Sequence, residues 1–82
     1  MDRGKVFQER LRQARHKKGI SQRQAADALG LTKIGYQNYE AGRMNPSFER
    51  LPKLADFFNV SIDYLLGRTD VPQVVRSAQW QG

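Results

Sequence analysis

The chain has 82 residues, 14 Lys/Arg against 8 Asp/Glu, a net charge of +6, and no cysteine. That length fits one small domain with an economical core, and the missing cysteine excludes a disulfide framework and a thiolate metal site. No apolar run approaches the length that would carry a helix across a bilayer.

The first predicted helix runs from Lys5 to Lys18. Val6, Phe7, Leu11 and Ala14 recur at three- and four-residue intervals, Lys17 and Lys18 suit the last turn, and Gly19 ends it. No apolar stretch follows Met1 to Lys5, so no secretory signal is expected, and a reducing cytoplasm is the expected compartment. Charge concentrates in this segment. Residues 1–18 hold seven Lys/Arg against Asp2 and Glu9, a net +5, whereas residues 47–67 hold Arg50 and Lys53 against Glu49, Asp56 and Asp63, a net −1. Such asymmetry suits a face turned toward a polyanion; a merely solvated surface is the competing reading.

Ser21 precedes Gln24 by three residues, so Ser21-Gln22-Arg23-Gln24 reads as a capping box opening a second helix. That helix carries Ala25, Ala26 and Leu29 and stops at Gly30. Thr32 caps a third helix to about Ala41, with Tyr36 and Tyr39 inward, and Gly42 closes it. Arg43-Met44-Asn45-Pro46 reads as a loop, because a proline disfavours helix at the residue before it. Ser47 caps a fourth helix with Phe48, Leu51, Leu54, Ala55 and Phe58 on one face; Pro52 is either tolerated near its start or marks a later start. Ser61 caps a short fifth helix, Ile62 to Leu66, ended by Gly67. Residues 68–82 show no clear period and read as a tail. The expected fold class is all-α, with a domain over residues 1–67.

Residues 21–42 carry the most information. Two short helices cross steeply only if their backbones approach closely. Ala26, beside Ala25, supplies the small residue this needs, and Gly30 tolerates the positive φ of the turn. Leu29, Leu31, Tyr36 and Tyr39 are placed to fill the crevice.

On these residues the chain resembles the Cro/C1-type (XRE-like) helix-turn-helix family, the DNA-binding domains of phage repressors and related bacterial regulators. The resemblance runs from about Phe7 to Gly67. It rests on Arg15 with Gly19-Ile20-Ser21-Gln22, the alanine–glycine spacing, Asn38-Tyr39-Glu40-Ala41-Gly42, Asn45-Pro46-Ser47, and the closing Val60-Ser61-Ile62-Asp63-Tyr64-Leu65-Leu66-Gly67. It implies a compact five-helix, lambda-repressor-like domain. The family pattern carries leucine where Ala25 stands, which leaves the crevice for Tyr36 to fill. Gly35 weakens the third helix by about 1 kcal/mol relative to alanine.

In this family the third helix lies in the major groove and its N-terminal residues meet base edges. Carried over, the base contacts fall on Thr32, Lys33, Ile34, Gln37 and Asn38. Lys33 suits guanine O6 and N7, Gln37 or Asn38 suits adenine N6 and N7, and Ile34 or the Thr32 methyl suits a thymine methyl. Gln22 opens the second helix, where free N–H groups favour an anion, and the resemblance implies a glutamine there that grips the DNA backbone. Arg23, Arg43, Asn45 and Ser47 are the other phosphate candidates. The resemblance also implies that Arg15 and Glu40 pair behind the third helix, a structural role.

The remaining residues read as support. Arg10, Arg12, Lys17 and Lys18 are expected to add a diffuse, solvated field. His16 reads as a surface residue. Tyr36, Tyr39, Phe48, Phe57, Phe58 and Tyr64 read as core. Trp80 and the tail valines read either as a docking element or as a remnant without a fixed place.

The expected function is a sequence-specific, double-stranded DNA-binding transcriptional regulator of bacterial or phage origin, acting as a repressor on an inverted-repeat operator as a homodimer. No cofactor, metal or membrane is implied, and no effector is indicated. An antitoxin or a restriction–modification controller would bind DNA in the same way. A protein-interaction adaptor that has lost DNA binding is the rival of another class; the basic first half and the Lys/Gln/Asn character of the third helix count against it. No carboxylate pair, nucleophile–base set or metal-ligand spacing points to an enzyme.

Overall fold

Helix stop signals divide the chain where the periodicity predicts. The computed structural model describes residues 3–72. They form α1 (Arg3–Lys18), α2 (Gln22–Leu29), α3 (Lys33–Ala41), α4 (Arg50–Phe58) and α5 (Ile62–Leu65), with no strand among them. The ends of α1 and α5 lie within two residues of expectation.

Side-chain caps set most of the starts. The Ser21–Gln24 capping box is complete: Gln24 N–H donates to Ser21 Oγ at 3.0 Å, and Ser21 N–H donates to Gln24 Oε1 at 2.8 Å. Thr32 Oγ1 accepts from Gly35 N–H and Ser61 Oγ accepts from Tyr64 N–H, each at 3.0 Å.

The start of α4 is the later of the two that Pro52 left open. Ser47 Oγ does accept from Arg50 N–H, at 3.1 Å, but residues 48–49 form a turn and regular helix begins at Arg50. Pro52 is then the third helical residue, where its missing N–H would have had no intrahelical partner. Phe48 lies in the turn and is 93% exposed, so its assignment to the core is corrected.

One core joins all five helices. Phe7 and Leu11 of α1 meet Ala25 and Ala26 of α2, Tyr36 and Tyr39 of α3, Leu54, Ala55 and Phe58 of α4, Val60, and Leu65 of α5. Phe57 and Tyr64 pack against this cluster partly buried. The heaviest packing is between α2 and α3, and α1 lies against α3, α4 and α5.

Arg10 is a second correction. Instead of adding to a solvated field, its side chain is only 18% exposed. It donates to the carbonyls of Tyr64 (2.7 Å) and Thr69, pairs with Asp70 at 2.7 Å, and lies 4.2 Å above the centre of the Tyr64 ring. Ser61 N–H donates to the Pro72 carbonyl at 2.9 Å. The segment just past Gly67 is thereby fastened to α1 and to the start of α5. Trp80, Val74 and Val75 lie outside the described residues.

Candidate nucleic-acid interface

The turn between α2 and α3 fixes the whole surface. Gly30 adopts φ +72° and ψ 30°, and nothing lies within 4 Å of where its Cβ would stand. Glycine is needed there for its conformation, not for space. Leu31 N–H donates to the Ala26 carbonyl at 2.8 Å, which closes the end of α2. Ala25 and Ala26 are fully buried, which lets α3 pack close. Tyr36, also fully buried, is the largest side chain in the crevice.

α3 has two faces. Tyr36, Tyr39 and Glu40 are buried. Lys33, Ile34 and Ala41 are exposed on the other side, with Gln37 and Asn38 half-buried beside them. Ile34 is 67% exposed, so it is not a core residue. Thr32 stands exposed at the helix start, its hydroxyl engaged as the cap. A Cβ on Gly35 would stand 3.0 Å from Thr32 Oγ1, so the glycine leaves room for that cap.

Behind the outward face runs a polar chain from α1 to α3. Arg15 Nε donates to Glu40 Oε2 at 2.7 Å and Arg15 Nη2 to Oε1 at 3.1 Å. Tyr36 Oη–H donates to Oε2 at 2.6 Å and Gln22 Nε2 to Oε1 at 3.0 Å. Gln37 Nε2 in turn donates to Gln22 Oε1 at 3.0 Å. Burial acts to raise the Glu40 carboxyl pKa, but the hydrogen bonds from Arg15, Tyr36 and Gln22 outweigh it and hold the group below its usual value. The bond to Glu40 raises Arg15, and burial together with Glu40 raises Tyr36. The network is therefore an anionic carboxylate surrounded by donors.

The phosphate candidates are spread around this centre. Arg12, Arg15, Gln22, Gln37 and Arg43 border an open concavity of about 300 Å³. Arg12 and Arg43 are exposed there and pair with no carboxylate among the described residues. Arg12, expected from the sequence to add only to the diffuse field, borders the same concavity as Gln22 and Arg43. Arg23 and Ser47 are exposed, and Ser47 is engaged as a cap. Asn45 borders a separate concavity with Phe7, Leu51 and Leu66. The structure therefore groups Gln22 with Arg43, and not with Asn45.

Among the described residues no cluster of His, Cys, Asp or Glu could hold a metal ion, and no helix is long and apolar enough to cross a membrane. A tight turn between two short helices, with the second presenting one polar side on a cationic surface, defines a helix-turn-helix DNA-binding domain. The helix-turn-helix family model matches residues 11–65, and the chain belongs to the Cro/C1-type helix-turn-helix family.

The chain is similar to the SPbeta prophage-derived HTH-type transcriptional regulator YonR of Bacillus subtilis strain 168, 45% identical over 64 residues, covering 78% of this chain and 59% of the relative. It is similar to the HTH-type transcriptional regulator AnsR of the same organism, 42% identical over 76 residues, covering 88% and 66%. It also resembles the cryptic phage CTXphi transcriptional repressor RstR of Vibrio cholerae, 41% identical over 62 residues, covering 76% and 55%. The chain thus spans between about half and two thirds of the length of these relatives. No solved structure matches it.

Proposed function

We propose that this chain reads operator DNA for a transcriptional regulator, and that the regulator is a repressor. The observation that carries the reading is the outward face of α3, with Lys33 and a 67%-exposed Ile34 on a helix whose other side is packed into the core. Lys33 donates to guanine, Ile34 packs on a thymine methyl, and Gln37 and Asn38 offer amides to adenine. Thr32 meets the groove at the helix start. Gln22, Arg23, Arg43, Asn45 and Ser47 hold the flanking phosphates, joined by Arg12 on α1. Repression is supported by the name of one relative, a phage transcriptional repressor.

A two-fold dimer on an inverted repeat follows from the usual geometry, in which paired recognition helices lie about 34 Å apart. Ile62, Leu65 and Leu66 of α5 and the segment after Gly67 are the candidate dimer surfaces; Leu65 itself is fully buried, which leaves Ile62 and Leu66 as the accessible pair. The proposed compartment is the bacterial cytoplasm, at the nucleoid.

A fluorescence-anisotropy titration tests this reading, with the duplex most enriched by selection from a random library against a scrambled duplex of equal length. At near-physiological salt the selected duplex is expected to bind at least about a thousandfold more tightly. Equal binding would reject operator recognition.

A further inference from the structure

Val74, Val75 and Trp80, the one tryptophan of the chain, follow the last described residue, Pro72. We infer that residues 73–80 fold back over the groove between α1 and the α4–α5 junction of the same chain, and seat the Trp80 indole against Ala14 and Val60.

The described chain leads to this groove. Arg10 holds Thr69 through its carbonyl and Asp70 through its carboxylate. Ser61 N–H holds the Pro72 carbonyl at 2.9 Å. Pro72 itself borders a groove of about 440 Å³, together with Ala14 of α1, Phe58 at the end of α4, Val60, and Tyr64 of α5. Ala14, Phe58, Val60 and Tyr64 all belong to the core cluster or pack against it. An apolar group laid over them therefore extends that core. Arg10 lies over the Tyr64 ring, 4.2 Å from its centre, and so supports this wall as well as the segment that leads to it.

Chemistry selects the occupant. Residues 73–80 hold Val74, Val75, Ala78 and Trp80 and a single charged residue, Arg76, so little charge is withdrawn from water when they are laid down. Trp80 follows Pro72 by eight residues, which reach roughly 26 Å when extended, enough to cross the groove and turn back. Its indole offers the largest apolar surface in the segment. Lys17 and Lys18 border the same groove. Their stems flank a seated ring while the ammonium groups stay in water, and Lys18 Nζ already lies 4.9 Å from the centre of the Phe57 ring. Among the described residues none of α2 or α3 borders the groove, so the seated tail leaves the outward side of α3 free.

The single tryptophan makes the test direct. Emission of the intact 82-residue chain, excited where tyrosine does not absorb, is compared with that of the same chain in concentrated urea. The native emission is expected to be blue-shifted, and acrylamide is expected to quench it several-fold less. Ala14→Gln keeps a good helix former in α1 while filling the groove. With its helical circular dichroism unchanged, this variant is expected to return both readings to the denatured values. A native spectrum equal to the denatured one overturns the proposal. So does a folded Ala14→Gln that keeps the shift, since Trp80 is then covered elsewhere. A shift that fades on dilution overturns it too, since the seat is then on a second copy. Should Ala14→Gln fail to fold, the wild type decides: nuclear Overhauser effects between the Trp80 indole protons and the methyl groups of Ala14 and Val60 are expected, and their absence overturns the seat.

Discussion

Arg15 and Glu40, 25 residues apart, are joined by two hydrogen bonds, Nε to Oε2 at 2.7 Å and Nη2 to Oε1 at 3.1 Å. Arg15 also donates to the Ile20 carbonyl at 3.0 Å. The pair ties α1, and the turn after it, to the inner side of the recognition helix. Both side chains are largely withdrawn from water, at 11% and 4% exposure. Removing one partner strands the other's charge. Glu40→Ala is therefore expected to lower stability by about 3 kcal/mol. Chemical denaturation checks this; a loss well below 1 kcal/mol would mean that water or a neighbour takes over the Arg15 contacts.

The same pair gives the domain a sensitivity to acid. The folded Glu40 carboxyl titrates below its ordinary value of 4.5, because the donors around it outweigh the effect of burial. Below that value the unfolded chain binds more protons than the folded one. The contribution of Glu40 is thus fully present above pH 4.5 and is lost as pH falls through the depressed folded value. Urea midpoints taken from neutral pH into the acid range should decline at the acid end in the wild type. The decline should be shallower in Glu40→Gln.

Phe48 and Phe58 behave in opposite ways despite sharing a residue type. Phe48 is 93% exposed and Phe58 is 7% exposed. Phe48→Ser is expected to change stability by no more than about 0.5 kcal/mol, whereas Phe58→Ala should cost about 3 kcal/mol. Thermal melts of the two variants separate them. Similar losses would mean that Phe48 is covered in solution.

These phenylalanines show where the sequence is legible and where it is not. The capping serines and threonine, the glycine stops and the three- and four-residue periods are local signals, and they placed all five helices. Phe48 also fits the α4 period when the stripe is extended backward. The turn that precedes Arg50 takes it off that face, and only the folded backbone shows the offset. Arg10 could not be separated from its cationic neighbours, because its partners lie 54 to 60 residues away. On the candidate site, periodicity indicated the side of α3 on which Lys33 and Ile34 stand. The hydrogen bond between Gln22 and Gln37, 15 residues apart across the turn, had no sequence signal.

Base reading by α3 predicts a selective loss. Lys33→Ala and Asn38→Ala should each relax preference at particular base pairs, by about 1–3 kcal/mol, while the fold persists. Competition binding against single-pair variants of the preferred site measures it. A uniform loss over all sequences would remove these residues from the base-reading set.

Phosphate contact predicts a different signature. Arg43→Ala should weaken binding to every duplex and lower the slope of log affinity against log salt by about one. Arg12→Ala is expected to do the same, since both border the concavity at Gln22. An unchanged slope in either variant removes that arginine from the backbone contacts.

Sequence-specific recognition of duplex DNA by the exposed face of α3 underlies every binding prediction above. Selection from a random duplex library, with sequencing after several rounds at near-physiological salt, tests it most directly. A two-fold symmetric consensus is expected to be enriched, with half-sites about one helical turn apart. A library that emerges no different from its input would contradict it.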